Sequence, residues 1–151
     1  PPVLTQVNLL HMHVPMLFYA PGILAPERRH TVASHLDLLP STLGIMGLTS
    51  THQSFGRDLF LIPPDDPGLA YVKQNGDPWT GLVRGDRIEV TTLHQPVHTY
   101  RYSLGFPPSV TLIDAELTGS EKAAAGRALK AFVSSAMRSV DRSALAPGPG
   151  K

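Results

Sequence analysis

HVPMLFYAPG, residues His13 to Gly22, carries the apolar run on which the reading of this chain turns. Val14 to Tyr19 is apolar throughout, too short for a typical helix, and stopped by Pro21-Gly22. That pattern predicts a strand buried on both faces, as in a parallel or mixed sheet. Pro15 cannot donate to a ladder, so it belongs at the strand's first residues or on an unpaired side. His11 and His13 then share one face of the strand, with Leu10, Met12 and Val14 on the other.

Outward from this run, Gly22 to His30 reads as a surface loop, and Thr31 to Leu48 (TVASHLDLLPSTLGIMGL) as a capped helix with Leu39, Leu43 and Met46 at helical spacing. Ser34 and Asp37 compete for the cap. Asp37 is favoured, because it leaves Pro40 in the first turn, where a missing N–H costs nothing. Gly47 suits the left-handed position just after the helix, with Leu48 folding back. FGRDLF (Phe55 to Phe60) follows, where Arg57 and Asp58 read as a local pair and Gly56 as a tight turn.

The Pro-, Asp- and Gly-rich segment Ile62 to Gly68 marks a boundary, after which the pattern changes to short β-rich runs. Arg84-Gly85-Asp86 signals a hairpin turn, which also explains its match to an adhesion tripeptide. Three or four antiparallel strands follow. A helix comes next, capped at Ser120, with Leu129, Phe132, Val133 and Met137 forming one stripe to cover the small sheet. The division expected is 1–61, 62–140, and a disordered tail over 141–151.

Composition narrows the function classes. The 151 residues carry a formal charge of +1 with scattered Lys and Arg, which gives no footprint for nucleic acid. Cysteine is absent, so disulfides, thiolate metal sites and a Cys nucleophile are excluded. The longest apolar run, Val14 to Ala20, falls far short of the roughly 20 residues of a membrane-spanning helix. No Gly-x-Ser-x-Gly, phosphate-binding loop or dinucleotide fingerprint occurs.

HVPMLFYAPG, VASHLDLLPSTLGIMGL and FGRDLF, in that order, resemble the C-terminal part of the sulfatase-like catalytic domain of the alkaline phosphatase superfamily. Within it, the His before Val14-Pro15, the YAPG and the later AYVKQNG and GLVRGDRIEV are most similar to the lipoteichoic acid synthase and phosphoglycerol transferase branch. Ser41 stands where the family usually has Thr. The fold the resemblance implies is α/β: part of an alkaline-phosphatase-like mixed sheet with its covering helix, then a small antiparallel sheet packed by a C-terminal helix.

The activity it implies is metal-dependent hydrolysis or transfer at sulfate or phosphate esters, including phosphoglycerol and lipid head groups. The nucleophile and the Asp-His-Gly metal motif are expected upstream of residue 1, so no catalytic residue and no metal ligand is assigned in this chain. Mn, Zn, Ca or Mg is the cofactor implied for the complete enzyme, with none expected to bind this chain tightly. Membrane anchoring through other segments, with this part in the periplasm of a bacterial inner membrane, is implied likewise.

His13, and behind it His11, are the candidate substrate-binding residues, placed to hydrogen-bond a phosphate or sulfate oxygen. Two histidines are fewer than the three or four ligands a zinc or manganese site needs, and the competing reading is a solvated strand end. His35 and Asp37 read as scaffold, and His94 and His98, flanking Pro96, as surface residues. Two other functions fit the residues: a non-catalytic ligand- or partner-binding remnant of the fold, and a small His-based metal-binding domain.

Overall fold

A computed structural model describes residues 9–49, 51, 54–73, 76, 78–92 and 95–145. Its centre is an antiparallel meander of five strands in chain order: β1 (Ala70–Val72), β2 (Trp79–Arg84), β3 (Arg87–Thr92), β4 (His98–Ser103) and β5 (Ser109–Leu112). Gly85-Asp86 makes the expected tight turn, pairing Arg84 with Arg87, and Gly85 adopts φ +56°, a value that glycine reaches without steric cost. Tyr102 fastens this hairpin by donating its hydroxyl to the Gly85 carbonyl at 2.7 Å and its N–H to the Asp86 carbonyl at 2.8 Å. SVTL supplies the fifth strand, through pairs from Tyr100–Leu112 to Ser103–Ser109.

Strand alternation divides the side chains between two faces. On one, Val72, Trp79, Val83 and Ile88 form the buried core together with Leu9 of a short helix, α1 (Leu9–Met12), flanked by Met12 and Val32. On the other lie Tyr71, Leu82, Glu89 and Thr99, which the ladder brings side by side. The C-terminal helix covers this second face: Phe132 stacks on Tyr71 at 5.0 Å, and Leu129 is buried.

The long C-terminal helix runs Gly119–Leu145, so 141–145 are helical rather than tail, and 146–151 lie outside the described residues. Its cap is Thr118, not Ser120. The Thr118 N–H donates to Glu121 Oε2 at 2.8 Å and the Glu121 N–H donates back to Thr118 Oγ1 at 3.3 Å, a reciprocal pair that Ser120 cannot make because Ala123 stands three residues on. Of the expected stripe, Leu129 is buried and Phe132 and Val133 are half-buried, whereas Met137 is exposed.

Val14 to Tyr19 does not form a strand. The segment is irregular, with Leu17 86% and Tyr19 85% exposed, and it turns at Pro21-Gly22. A strand is sustained by its ladder, Pro15 has no N–H to give one, and among the described residues no strand lies beside it. The one sheet feature of 9–69 is an isolated parallel bridge, Val32–Gly68, so the mixed sheet is not formed among the described residues. Phe18 instead packs edge-on against Phe60 at 5.2 Å.

Helix α2 (Leu38–Ile45) is entered through a 3-10 turn, His35–Asp37, and the cap is Ser34. Ser34 Oγ accepts the Leu36 N–H while Asp37 accepts the Ser34 N–H, so Asp37 closes the box from inside the turn. Gly47 ends the helix as expected, at φ +67°, with its N–H donating to Gly44 and that of Leu48 to Leu43.

The expected boundary at 61–62 is bridged by backbone: Val32 donates to Pro67 at 3.2 Å and accepts from Leu69 at 3.1 Å. Gly68, at φ +77°, lies directly against the Val32 backbone, where a Cβ would collide. Gly68→Ala is therefore expected to cost about 3 kcal/mol of unfolding free energy. Gly47→Ala, strained in φ but meeting nothing within 4 Å, should cost about 1–2 kcal/mol. Urea titration of both variants checks this ordering.

Candidate functional site

His11 lies in α1 and His13 just beyond it, its N–H closing the turn onto the Leu9 carbonyl. Both are exposed. Two residues apart on a helix are about 200° apart around the axis, so the shared face expected of a strand is not formed. Among the described residues no three His, Asp or Glu side chains converge as metal ligands, so no metal chemistry is derived from them. His94 lies outside the described residues.

The most densely bonded polar cluster sits where the LDLLPS helix meets FGRDLF. Asp37, 2% exposed, accepts the Ser34 N–H on Oδ2 at 2.9 Å and the Arg57 N–H on Oδ1 at 2.7 Å. The Arg57 guanidinium reaches Asp37 and Asp66, each at 3.5 Å, and donates to the Val32 and Leu69 carbonyls. The expected Arg57–Asp58 pair is thus replaced, and Asp58 accepts the Phe60 N–H instead. Ser41, fully buried, donates to the Arg57 carbonyl and accepts the Leu59 N–H.

Pro40 has no N–H for the Leu36 carbonyl, and Ser54 Oγ donates there at 3.2 Å. Gly56 passes so close to that carbonyl that a Cβ would strike it. With both Asp37 oxygens hydrogen-bonded, this cluster fastens chain segments together.

A second group, not found from the sequence, lies between the sheet and the C-terminal helix. Glu89, 7% exposed, borders a cleft of about 190 Å³ with Arg84, Arg87 and Thr99 from the sheet and Glu121, Ala124 and Ala125 from the helix. Its Oε2 is buried with no hydrogen-bond partner. Burial pushes the Glu89 carboxyl above the usual range, and Arg84 and Arg87 offset this only in part. A buried, perturbed carboxyl in a cleft is the kind of group that functional sites use. Its sequence signal was the hairpin itself, since a turn at 85–86 sets 84 opposite 87 and 82 opposite 89.

At the far end of β4, His98 Nδ1 lies 2.7 Å from Asp114 Oδ2, and the Thr99 N–H donates to Asp114 Oδ1 at 2.8 Å. Burial raises the Asp114 carboxyl, but the Thr99 N–H, the His98 ring and Lys122 outweigh it and hold it below the ordinary range. His98, expected on the surface, is exposed and also paired.

No protein-family model matches the chain, and neither a curated protein nor a solved structure matches it.

Asp37→Ala is expected to lower the unfolding free energy by about 2 kcal/mol, since it leaves the part-buried Ser34 and Arg57 N–H groups without their acceptor and removes one of the two carboxylates beside the Arg57 guanidinium; chemical denaturation measures it. The two perturbed carboxyls predict opposite pH behaviour. Glu89 favours its neutral form in the fold, so its stabilising contribution is present at acid pH and lost as pH rises through its raised pKa. Asp114 favours its ionised form, so its contribution is present above the ordinary carboxylate pKa and lost as pH falls. Glu89→Gln should therefore raise the melting temperature near neutral pH and change it less as pH falls to about 4, whereas Asp114→Asn should lower it near neutral pH and lose its effect only as pH falls below the ordinary carboxylate pKa. Thermal melts across pH distinguish the two.

Proposed function

We propose that this chain is the C-terminal scaffold portion of a metal-dependent, sulfatase-like hydrolase or transferase acting on sulfate or phosphate esters, in the lipoteichoic acid synthase and phosphoglycerol transferase branch of the alkaline phosphatase superfamily. The observation that carries the reading is where the chain leaves its apolar side chains. Among the described residues, twelve of the fifteen exposed large hydrophobics lie before residue 62, including Leu17, Tyr19, Leu39, Met46 and Leu61. This concentration of exposed apolar side chains in one half of the chain supports a segment that further structure covers in the complete protein.

That segment is also the one whose motifs carry the resemblance. In this reading Val14 to Tyr19 becomes a central strand once neighbouring strands supply its ladder, and α2 and FGRDLF, fastened by Asp37 and Arg57, pack behind it. The metal and the nucleophile belong to the rest of the domain, and the metal supplies charge to polarise the ester oxygen. His13, immediately before the Val-Pro step, stands at the rim and donates a hydrogen bond to a substrate phosphate or sulfate oxygen, with His11 behind it. Anchoring to a bacterial inner membrane, with this part in the periplasm, belongs to other segments; no helix among the described residues is long and apolar enough to cross a membrane.

Two measurements test the reading. The purified chain should show no metal-dependent turnover of aryl sulfates or phosphate diesters, and robust turnover by it alone overturns the proposal. In the complete protein, read from the gene upstream of residue 1, a Thr nucleophile and an Asp-His-Gly motif are expected, and His13→Ala should lower kcat/KM by about tenfold or more; unchanged kinetics removes His13 from the site.

A further inference from the structure

The cleft over β2 and β3 is lined by two arginines, Arg84 and Arg87, and two acids, Glu89 and Glu121. The tight turn sets Arg84 directly opposite Arg87, and like charges so placed repel. Among the described residues neither guanidinium has a carboxylate within 4 Å: the ion pairs of this chain are made by Arg29, Arg57, Arg101 and His98. Glu121, the exposed acid at the rim, already accepts from the Thr118 N–H and hydroxyl. Glu89, more than nine-tenths buried, borders the cleft with an oxygen that has no partner.

The geometry points to a binding site for one small tetrahedral oxyanion, of the sulfate or phosphate class, seated between Arg84 and Arg87 beside the Glu89 carboxyl. Opposed guanidiniums each present paired N–H donors, which match the oxygens of such an ion and remove the repulsion between them. At about 190 Å³ the cleft has room for the ion and a few waters of about 30 Å³ each. The ion is either free or the terminal group of a larger molecule. This site stands on the opposite sheet face from the α1 segment that carries His11, and it does not depend on the function proposed above.

Glu89 sets the pH dependence. It is faced by Arg84 from β2, Arg87 from β3 and Glu121 from the helix, with the uncharged Thr99 beside it on β4. The arginines keep their charge, and the Thr118 N–H and hydroxyl, with a smaller contribution from Arg87, hold Glu121 below the usual carboxylate range. Burial favours the neutral Glu89 carboxyl, which tolerates an anion, whereas its ionised form repels one.

Isothermal calorimetry of sulfate into the full 151-residue chain tests this, because sulfate keeps its charge from about pH 5 to about pH 8 and any pH dependence belongs to the protein. One site is expected, tightening several-fold from about pH 8 to about pH 5. Arg84→Gln and Arg87→Gln, each first shown folded by circular dichroism, should weaken it about tenfold or more. Glu89→Gln, whose amide stands for the neutral carboxyl, should bind more tightly than the parent at about pH 8 and lose most of the pH dependence. Phenyl phosphate compared with sulfate at about pH 8, where both are dianions, identifies the source: tighter than sulfate supports a terminal group of a larger molecule, weaker supports the free ion. No saturable binding of either probe, or binding unchanged by both arginine substitutions, overturns the site.

Discussion

The Asp37 carboxylate is the constraint on which the first half of this molecule depends. It lies almost without solvent contact, which is costly for a charge unless every oxygen is matched, and the chain folds so as to match them. The Ser34 N–H comes from the start of the 3-10 turn, the Arg57 N–H from the loop twenty residues on, and the Arg57 guanidinium from the same loop. Since that guanidinium also donates to the Val32 and Leu69 carbonyls, one buried acid indirectly holds the helix, the FGRDLF loop and the entry to β1 in register.

The second half is organised differently, by a ladder and two covered faces. α1 and Val32 close one side of the meander around Trp79 and Ile88, and the C-terminal helix closes the other through Phe132 and Leu129. The sheet therefore buries apolar side chains on both faces, while 13–20 and α2 leave theirs outside. This difference between the halves is the observation on which the proposed function rests.

Local signals were legible in the sequence and longer-range ones were not. The Gly47 stop, the turn at Gly85-Asp86 and the C-terminal helix follow from residues within a few positions of each other, and all three form. Thr118 is also legible through its spacing to Glu121, whereas Ser120, nearer the helical run, has no acid three residues on. Ser34 and Asp37 divide the capping work because Ser54, far along the chain, takes over the carbonyl that Pro40 cannot serve. The strand over Val14 to Tyr19 failed for the same reason in reverse: composition sets what a segment can bury, but a strand exists only when another offers its backbone. The Glu89 cleft needed three alignments at once: hairpin register, β4 pairing and the helix above.

The central structural claim, that the Asp37–Arg57 contact couples the two segments rather than each merely filling space, is tested most directly by a double-mutant cycle. Unfolding free energies of the parent, Asp37→Ala, Arg57→Ala and the double variant give the coupling energy. The Arg57 backbone N–H survives in Arg57→Ala, so the cycle reads only the ion pair of the half-buried guanidinium with the buried carboxylate, and a coupling of about 1 kcal/mol is predicted. Additive losses, with coupling below about 0.5 kcal/mol, would contradict it.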